Sequence, residues 1–227
     1  MNTNIPSQLQ PFIQMVDFIG MAMGNNCEVV LHDVSKIEHS IVAIKNNHIS
    51  NRKVGGSLTD LALKILKDKS YEEKDFLINY SGKTQDGKIL RSSTFFIKDE
   101  YGNVIGMLCL NMDVSKIVET RNLLDSLISG ISTKNQNSTY LDENLPTNED
   151  GPMEDLSTSI EELTSSIILR TIAETNIPPY RMSANEKMDV VKQLNEKGVF
   201  LIKGAVSEVA LHLKTSEATV YRYLNKI

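Results

Sequence analysis

The chain has 227 residues, of which 41% are hydrophobic and 23% charged, with a formal net charge of −5. These values describe an ordinary soluble globular protein of one large or two small domains, and they exclude a fibrous, disordered or disulfide-stapled chain. No apolar run approaches the roughly 20 residues needed to cross a bilayer, and the opening MNTNIPSQLQPF lacks the basic start and apolar core of a secretory signal. A cytoplasmic location with no membrane association is expected. Cys27 and Cys109 offer neither a disulfide framework nor metal-ligand spacing, and their apolar, strand-like surroundings predict buried free thiols.

In chain order, residues 8–23 place Phe12, Val16, Ile19 and Met23 on one face of an amphipathic helix that closes near Gly24. Its default role is to cover a core; a dimer contact is the alternative. The β-branched stretches 27–32 and 40–44 predict two strands. A polar, glycine-bearing segment over 46–60 leads to a helix with Leu61, Ala62, Ile65 and Leu66 inward. Three more strands are predicted over 76–80, 89–98 and 104–112, with the turn dipeptide Asp86-Gly87 before the second of them. Strands joined by short turns, with helices between and before them, predict a five-stranded antiparallel sheet with the helices gathered on one face.

Residues 113–131 carry Val114, Ile117, Val118, Leu124, Leu127 and Ile128 as a helical stripe. That stripe is suited either to pairing across a dimer or to packing back on the sheet. The polar, acidic stretch up to residue 155 predicts a flexible linker. From residue 156 a second amphipathic helix offers Leu156, Ile160, Leu163, Ile167 and Ile168, and Pro178-Pro179 stop it. A helix over 186–197 closes at Gly198.

The last 23 residues read as two short helices joined by a tight turn. Val206, Val209, Ala210 and Leu213 mark the buried face of the first, Ser216 the N-cap of the second, and Val220, Tyr223 and Leu224 its buried face. Lys214 holds a turn position that usually needs glycine, so a left-handed, mildly strained backbone is expected there. Glu217, Ala218, Tyr221, Arg222 and Asn225 are left facing outward, as on a helix that enters a major groove. Charge agrees with this reading. Residues 181–227 hold eight Lys/Arg against five Asp/Glu, a local +3, while residues 1–180 hold sixteen against twenty-four, or −8.

Two sets of residues carry a family resemblance. The order of elements over residues 8–115, with Glu28 to Asp33, Ser40 to Ile44, Asn51 to Gly55 and Leu58 to Asp60, resembles the YheO-like PAS domain. Glu186, Lys187, Val191, Leu194, Gly198, Val199, Phe200, Lys203 to Val206 and the closing Thr219 to Leu224 resemble the helix-turn-helix of the DauR-like transcriptional regulator family. The resemblance implies an α+β PAS-like sensor domain over 8–115, a connecting helix over 116–131 and a flexible linker over 132–155. An amphipathic helix with its proline stop follows over 156–180, and an all-α helix-turn-helix DNA-binding domain over 181–227.

For the DNA-binding surface the expected residues are Glu217, Ala218 and Arg222 toward bases, and Ser216, Thr219 and Tyr221 toward phosphate. For a sensor pocket they are His32, Asp33, Arg52, Ser92 and Thr94, with Arg52 suited to a carboxylate-bearing small-molecule effector. No nucleophile elbow, P-loop or metal motif is present, so neither catalysis nor a cofactor is expected. The reading is a ligand-responsive, repressor-type homodimer on a pseudo-palindromic operator. Its alternative is a sensor whose C-terminal helices bind a protein instead of DNA.

Overall fold

The structure, a computed structural model, describes residues 5–129, 153–156 and 159–227. Helix α1 (Gln10–Ala22) precedes strands β1 (Cys27–Asp33) and β2 (Ile41–Lys45). Helix α2 (Asp60–Asp68) leads to β3 (Phe76–Thr84), β4 (Ile89–Lys98) and β5 (Val104–Asp113). Helix α3 (Ser115–Ser129) and a further strand, β6 (Met153–Leu156), come next. The chain ends in helices α4 (Ile160–Glu174), α5 (Ala184–Glu196), α6 (Ala205–His212) and α7 (Glu217–Leu224).

The five expected strands form one antiparallel sheet, as the sequence predicts, and the structure sets their order as β2-β1-β5-β4-β3. Strand β6 is an addition: it pairs parallel to β3 at the open edge, with Ser81 opposite Met153 and Thr84 opposite Leu156. Most of the expected linker lies outside the described residues, but its last three residues belong to this strand. Leu156, expected to begin a helix, is fully buried with Ile49 and Leu90. The helix begins later because Ser159 caps it, accepting a bond from the Glu162 N–H at 3.1 Å.

Alternation along β1 gives the sheet two apolar faces, so helices cover both of them rather than the one expected. Cys27, Val29 and Leu31 meet Leu9 and Val16 beneath α1. Val30 faces the other way, into a core with Leu61 and Ile65 of α2 and Met107 and Cys109 of β5. That core continues without interruption into Leu163, Val190, Leu194, Val209 and Val220 of the C-terminal helices. Because Cys27 and Cys109 lie on opposite faces, both remain buried free thiols.

Helix α2 joins the sheet domain to the helices. Gly198, with φ +76°, sits so near that a Cβ there would lie 2.8 Å from the Leu63 carbonyl oxygen. Asp60 in the first turn of α2 pairs with Arg170 of α4 at 3.0 Å. By contrast, no described side chain of α3 is buried: Ile117, Leu124 and Leu127 are all exposed. Packing back on the sheet, one of the two expectations for that helix, is not what it does. Among the described residues no helix is long and apolar enough to cross a membrane.

Candidate functional site

The turn between α6 and α7 fixes the exposed end of the last helix. Thr215 N–H donates to the Ala210 carbonyl at 3.0 Å and Lys214 N–H to the Leu211 carbonyl at 3.2 Å, the two bonds of a Schellman motif. Lys214 takes its left-handed position at φ 50°, as expected for a residue standing where glycine is usual. Ser216 then caps α7: its Oγ accepts from the Thr219 N–H at 3.3 Å and pairs with Thr219 Oγ1 at 2.9 Å. Val220 and Tyr223 are buried against α5 and α6, which leaves Glu217, Ala218, Tyr221, Arg222 and Asn225 exposed. Ser207 Oγ donates to Glu217 Oε1 at 2.8 Å, so one carboxylate oxygen is held by α6. Arg222 lies over the Tyr223 ring, 5.8 Å from its centroid. Helix α5, which braces the pair, begins with a full capping box between Ser183 and Glu186.

A second constellation lies inside the sheet domain, on the face toward α2. Cross-strand register sets Glu28 of β1 opposite Asn111 of β5, Asn111 opposite Ser92 of β4, and Ser92 opposite Tyr80 of β3. These side chains form a row. Ser92 Oγ donates to Asn111 Oδ1 at 2.9 Å, and Asn111 Nδ2 donates to Glu28 Oε1 at 3.0 Å. Arg52 closes the row from the loop before α2, pairing with Glu28 Oε1 at 2.9 Å while Ser50 donates to Glu28 Oε2. In the neighbouring row Thr94 Oγ1 meets the Tyr80 hydroxyl at 2.8 Å and Cys109 Sγ at 3.2 Å. Of the expected residues, Arg52 is linked to Ser92 through Glu28 and Asn111, and Thr94 lies in the neighbouring row.

The other two expected residues fare differently. His32 is buried on the same face, its Nδ1 paired with Ser40 Oγ at 2.8 Å. Burial, reinforced by the Arg52 charge, lowers its pKa to about 3, so the ring is neutral near pH 7. Asp33 is the next residue along β1, and alternation turns it to the opposite face. There it accepts bonds from Ser35 N–H at 3.0 Å and Ser35 Oγ at 2.6 Å. It is a turn-forming residue apart from the Arg52 cluster.

Sequence reasoning missed Glu154. Strand β6 carries this carboxyl into the interior, where Thr59 Oγ1 donates to its Oε1 at 2.5 Å. Thr59 is also the N-cap of α2. Burial raises the Glu154 pKa to about 7, helped by the Asp60 charge and opposed by Thr59, Arg52 and Tyr80. Burial likewise pushes the Cys109 thiol up to about 12, with the Glu154 charge adding to it, so Cys109 is no nucleophile. Two buried atoms of the cluster, Arg52 Nη1 and Glu154 Oε2, have no hydrogen-bond partner among the described residues. Such atoms in a protein interior are uncommon and mark a place for a polar partner.

Comparison with known proteins places both constellations. Residues 3–129 match the model of the YheO-like PAS domain, and residues 163–225 match a model described as an HTH domain. The chain belongs to the YheO-like PAS family. Over 96% of its length it is 31% identical to YheO of Escherichia coli strain K12, covering 84% of that protein. It is 32% identical to a Haemophilus influenzae protein over 94% of its length and 88% of the relative's. It is also 24% identical to the transcriptional regulator DauR of Pseudomonas aeruginosa, over 98% of this chain and 97% of that one. The buried rows lie within the YheO-like domain, the capped helix α7 lies within the HTH match, and β6 lies between the two.

Proposed function

We propose that this transcriptional regulator binds a small polar effector in its PAS domain and a pseudo-palindromic operator through α7, as a cytoplasmic homodimer. The observation that carries the DNA half is α7 itself. It is a capped helix braced by two others, with Glu217, Ala218, Tyr221 and Arg222 exposed along one side. Arg222 is assigned to guanine O6 and N7, and the free oxygen of Glu217 to cytosine N4. Ser216, Thr219 and Tyr221 are assigned to phosphate.

The effector is assigned to the Arg52, Ser92 and Thr94 cluster, extended by Glu154 and Tyr80. The unpartnered Arg52 Nη1 suits a carboxylate oxygen, and Glu154 Oε2 suits a hydrogen-bond donor on the same molecule. Helix α2 is the coupling element of this reading. Its cap Thr59 holds Glu154, and its Asp60 holds Arg170 of the first C-terminal helix. The homologue DauR, by name a transcriptional regulator, supports the general class. Repression rather than activation, and action by binding rather than by catalysis, belong to the same reading.

Selection of genomic DNA fragments bound by the full-length protein at two salt concentrations tests it. The expected result is one pseudo-palindromic site that survives the higher salt, with Arg222→Ala costing about 1–3 kcal/mol and relaxing the sequence preference. Recovery of random fragments that are lost at moderate salt, or of none, would move the function to a protein partner.

A further inference from the structure

The loop between α4 and α5 gathers three cations at the start of α7. Pro178 and Pro179 limit its backbone freedom, and Arg181 N–H closes a turn onto the Pro178 carbonyl at 2.8 Å. Met182 anchors the loop in the core of the C-terminal helices. Tyr180 is consequently held outward and is 64% exposed. Two cations converge on its ring: Arg181 Cζ lies 5.6 Å and Lys214 Nζ 5.7 Å from the centroid. Lys187, in the first turn of α5, donates from Nζ to the Lys214 carbonyl at 3.3 Å. Among the described residues none of the three forms an ion pair with a carboxylate.

Like charges drawn to one aromatic ring repel each other. The ring quadrupole offsets part of that repulsion, and an anion beside the cations would offset more of it. The position of the patch says which anion. Lys214 stands two residues before Ser216, the cap of α7, and two residues of chain span at most about 7 Å. The N-terminal end of a recognition helix is the end that meets base edges, in a groove about 12 Å wide between two phosphate backbones. Cations set this close beside that end fall at the groove wall.

We infer that Tyr180, Arg181, Lys187 and Lys214 form a preorganised clamp for the DNA phosphodiester backbone beside α7. The inference rests on the operator-binding reading and deepens it. The clamp positions α7 and carries no base preference of its own. It also gives the non-glycine residue at the α6–α7 turn a purpose, since Lys214 bears left-handed strain that glycine would relieve.

The test is the salt dependence of binding by the full-length protein to a duplex carrying the selected operator and to an unrelated duplex. Lys214→Gly suits the turn better than the native residue does, so loss of fold would not explain its effect. It and Arg181→Ala should each lower the slope of log affinity against log salt by about one on both duplexes. The ratio of affinities for the two duplexes should stay at the wild-type value. Lys64→Ala, which removes a charge from the exposed side of α2, should leave the slope unchanged. Wild-type slopes in Lys214→Gly and Arg181→Ala, alongside relaxed specificity in Arg222→Ala, would overturn the clamp and leave the operator reading standing. A slope lowered equally by Lys64→Ala would also overturn it. No salt-sensitive binding of either duplex by the wild type would remove the operator reading itself.

Discussion

Burial shifts Glu154 and His32 in opposite senses, and the Arg52 charge acts on both. The Glu154 carboxyl, ordinarily near 4.5, is raised to about 7 in the folded protein. Between those values the folded chain keeps a proton that the unfolded chain gives up. Its contribution is therefore full below about 4.5 and lost by about pH 7, a difference on the order of 3 kcal/mol. His32 falls from 6.5 to about 3 in the fold. Its contribution is full above 6.5 and lost as pH falls toward 3. From 4.5 to 6.5 the two slopes oppose each other, and this pair leaves stability nearly level. Glu154→Gln removes one arm, so the variant should lose stability on acidification from pH 6.5 to 5 while the wild type changes little. Urea unfolding midpoints measured at steps across that range decide it. A variant that tracks the wild type throughout would show that Glu154 does not titrate there. At this scale the sequence was legible where a residue type announces its chemistry, as with Arg52, and illegible where tertiary structure supplies the setting. Glu28 lies on the face shared by Val30 and His32, a hint that it has a buried partner. Glu154 sits in a run of acids from which no local pattern separates it.

Elements made by local periodicity were read nearly to their ends: β1, β4, β5, α1 and the α6–α7 pair all lie where apolar spacing and turn residues put them. Strand β6 was not. It has four residues, is polar at its centre, and gains its bonds only from an edge contributed by β3 some seventy residues earlier. Leu156 also stands four residues before Ile160, which imitates helical spacing, whereas the Ser159 cap marks the true helix start. The strand is nonetheless held firmly, because Leu156 is fully buried and Gly82 lets it lie close; a Cβ at Gly82 would stand 3.5 Å from Leu156 Cδ1 and 2.9 Å from Ser92 Oγ. Leu156→Ala should therefore cost about 2–5 kcal/mol through lost burial and a residual cavity. Guanidinium unfolding followed by circular dichroism measures this. A cost under about 0.5 kcal/mol, the size of a surface substitution, would mean that β6 does not dock on the sheet.

At the scale of the molecule, one core joins the α2 side of the PAS sheet to the C-terminal helices, while α3 buries no described side chain. Along α3, Ile117, Thr120, Leu124 and Leu127 follow heptad spacing, and the three apolar members are each more than half exposed. A row of this kind on a lone helix carries an unfavourable apolar exposure that a second α3 would bury. Two copies joined there would present two α7 helices to the two halves of a palindrome, making the second contact intramolecular. Linkage of that kind strengthens binding by about 10²–10⁴-fold without any new contact to DNA. Leu124→Glu combined with Leu127→Glu changes only exposed side chains, so each protomer should keep its fold while like charges oppose pairing. Sedimentation should then show a monomer at micromolar concentration, and affinity for the full operator should fall by that factor toward the affinity for a single half-site. Wild-type mass with wild-type affinity would place the dimer contact elsewhere, with the exposed Phe18 and Met21 of α1 the next face to substitute. A monomer that still binds the full operator at wild-type affinity would instead remove the need for a dimer, leaving a single α7 and its flanking cations to account for all of the binding.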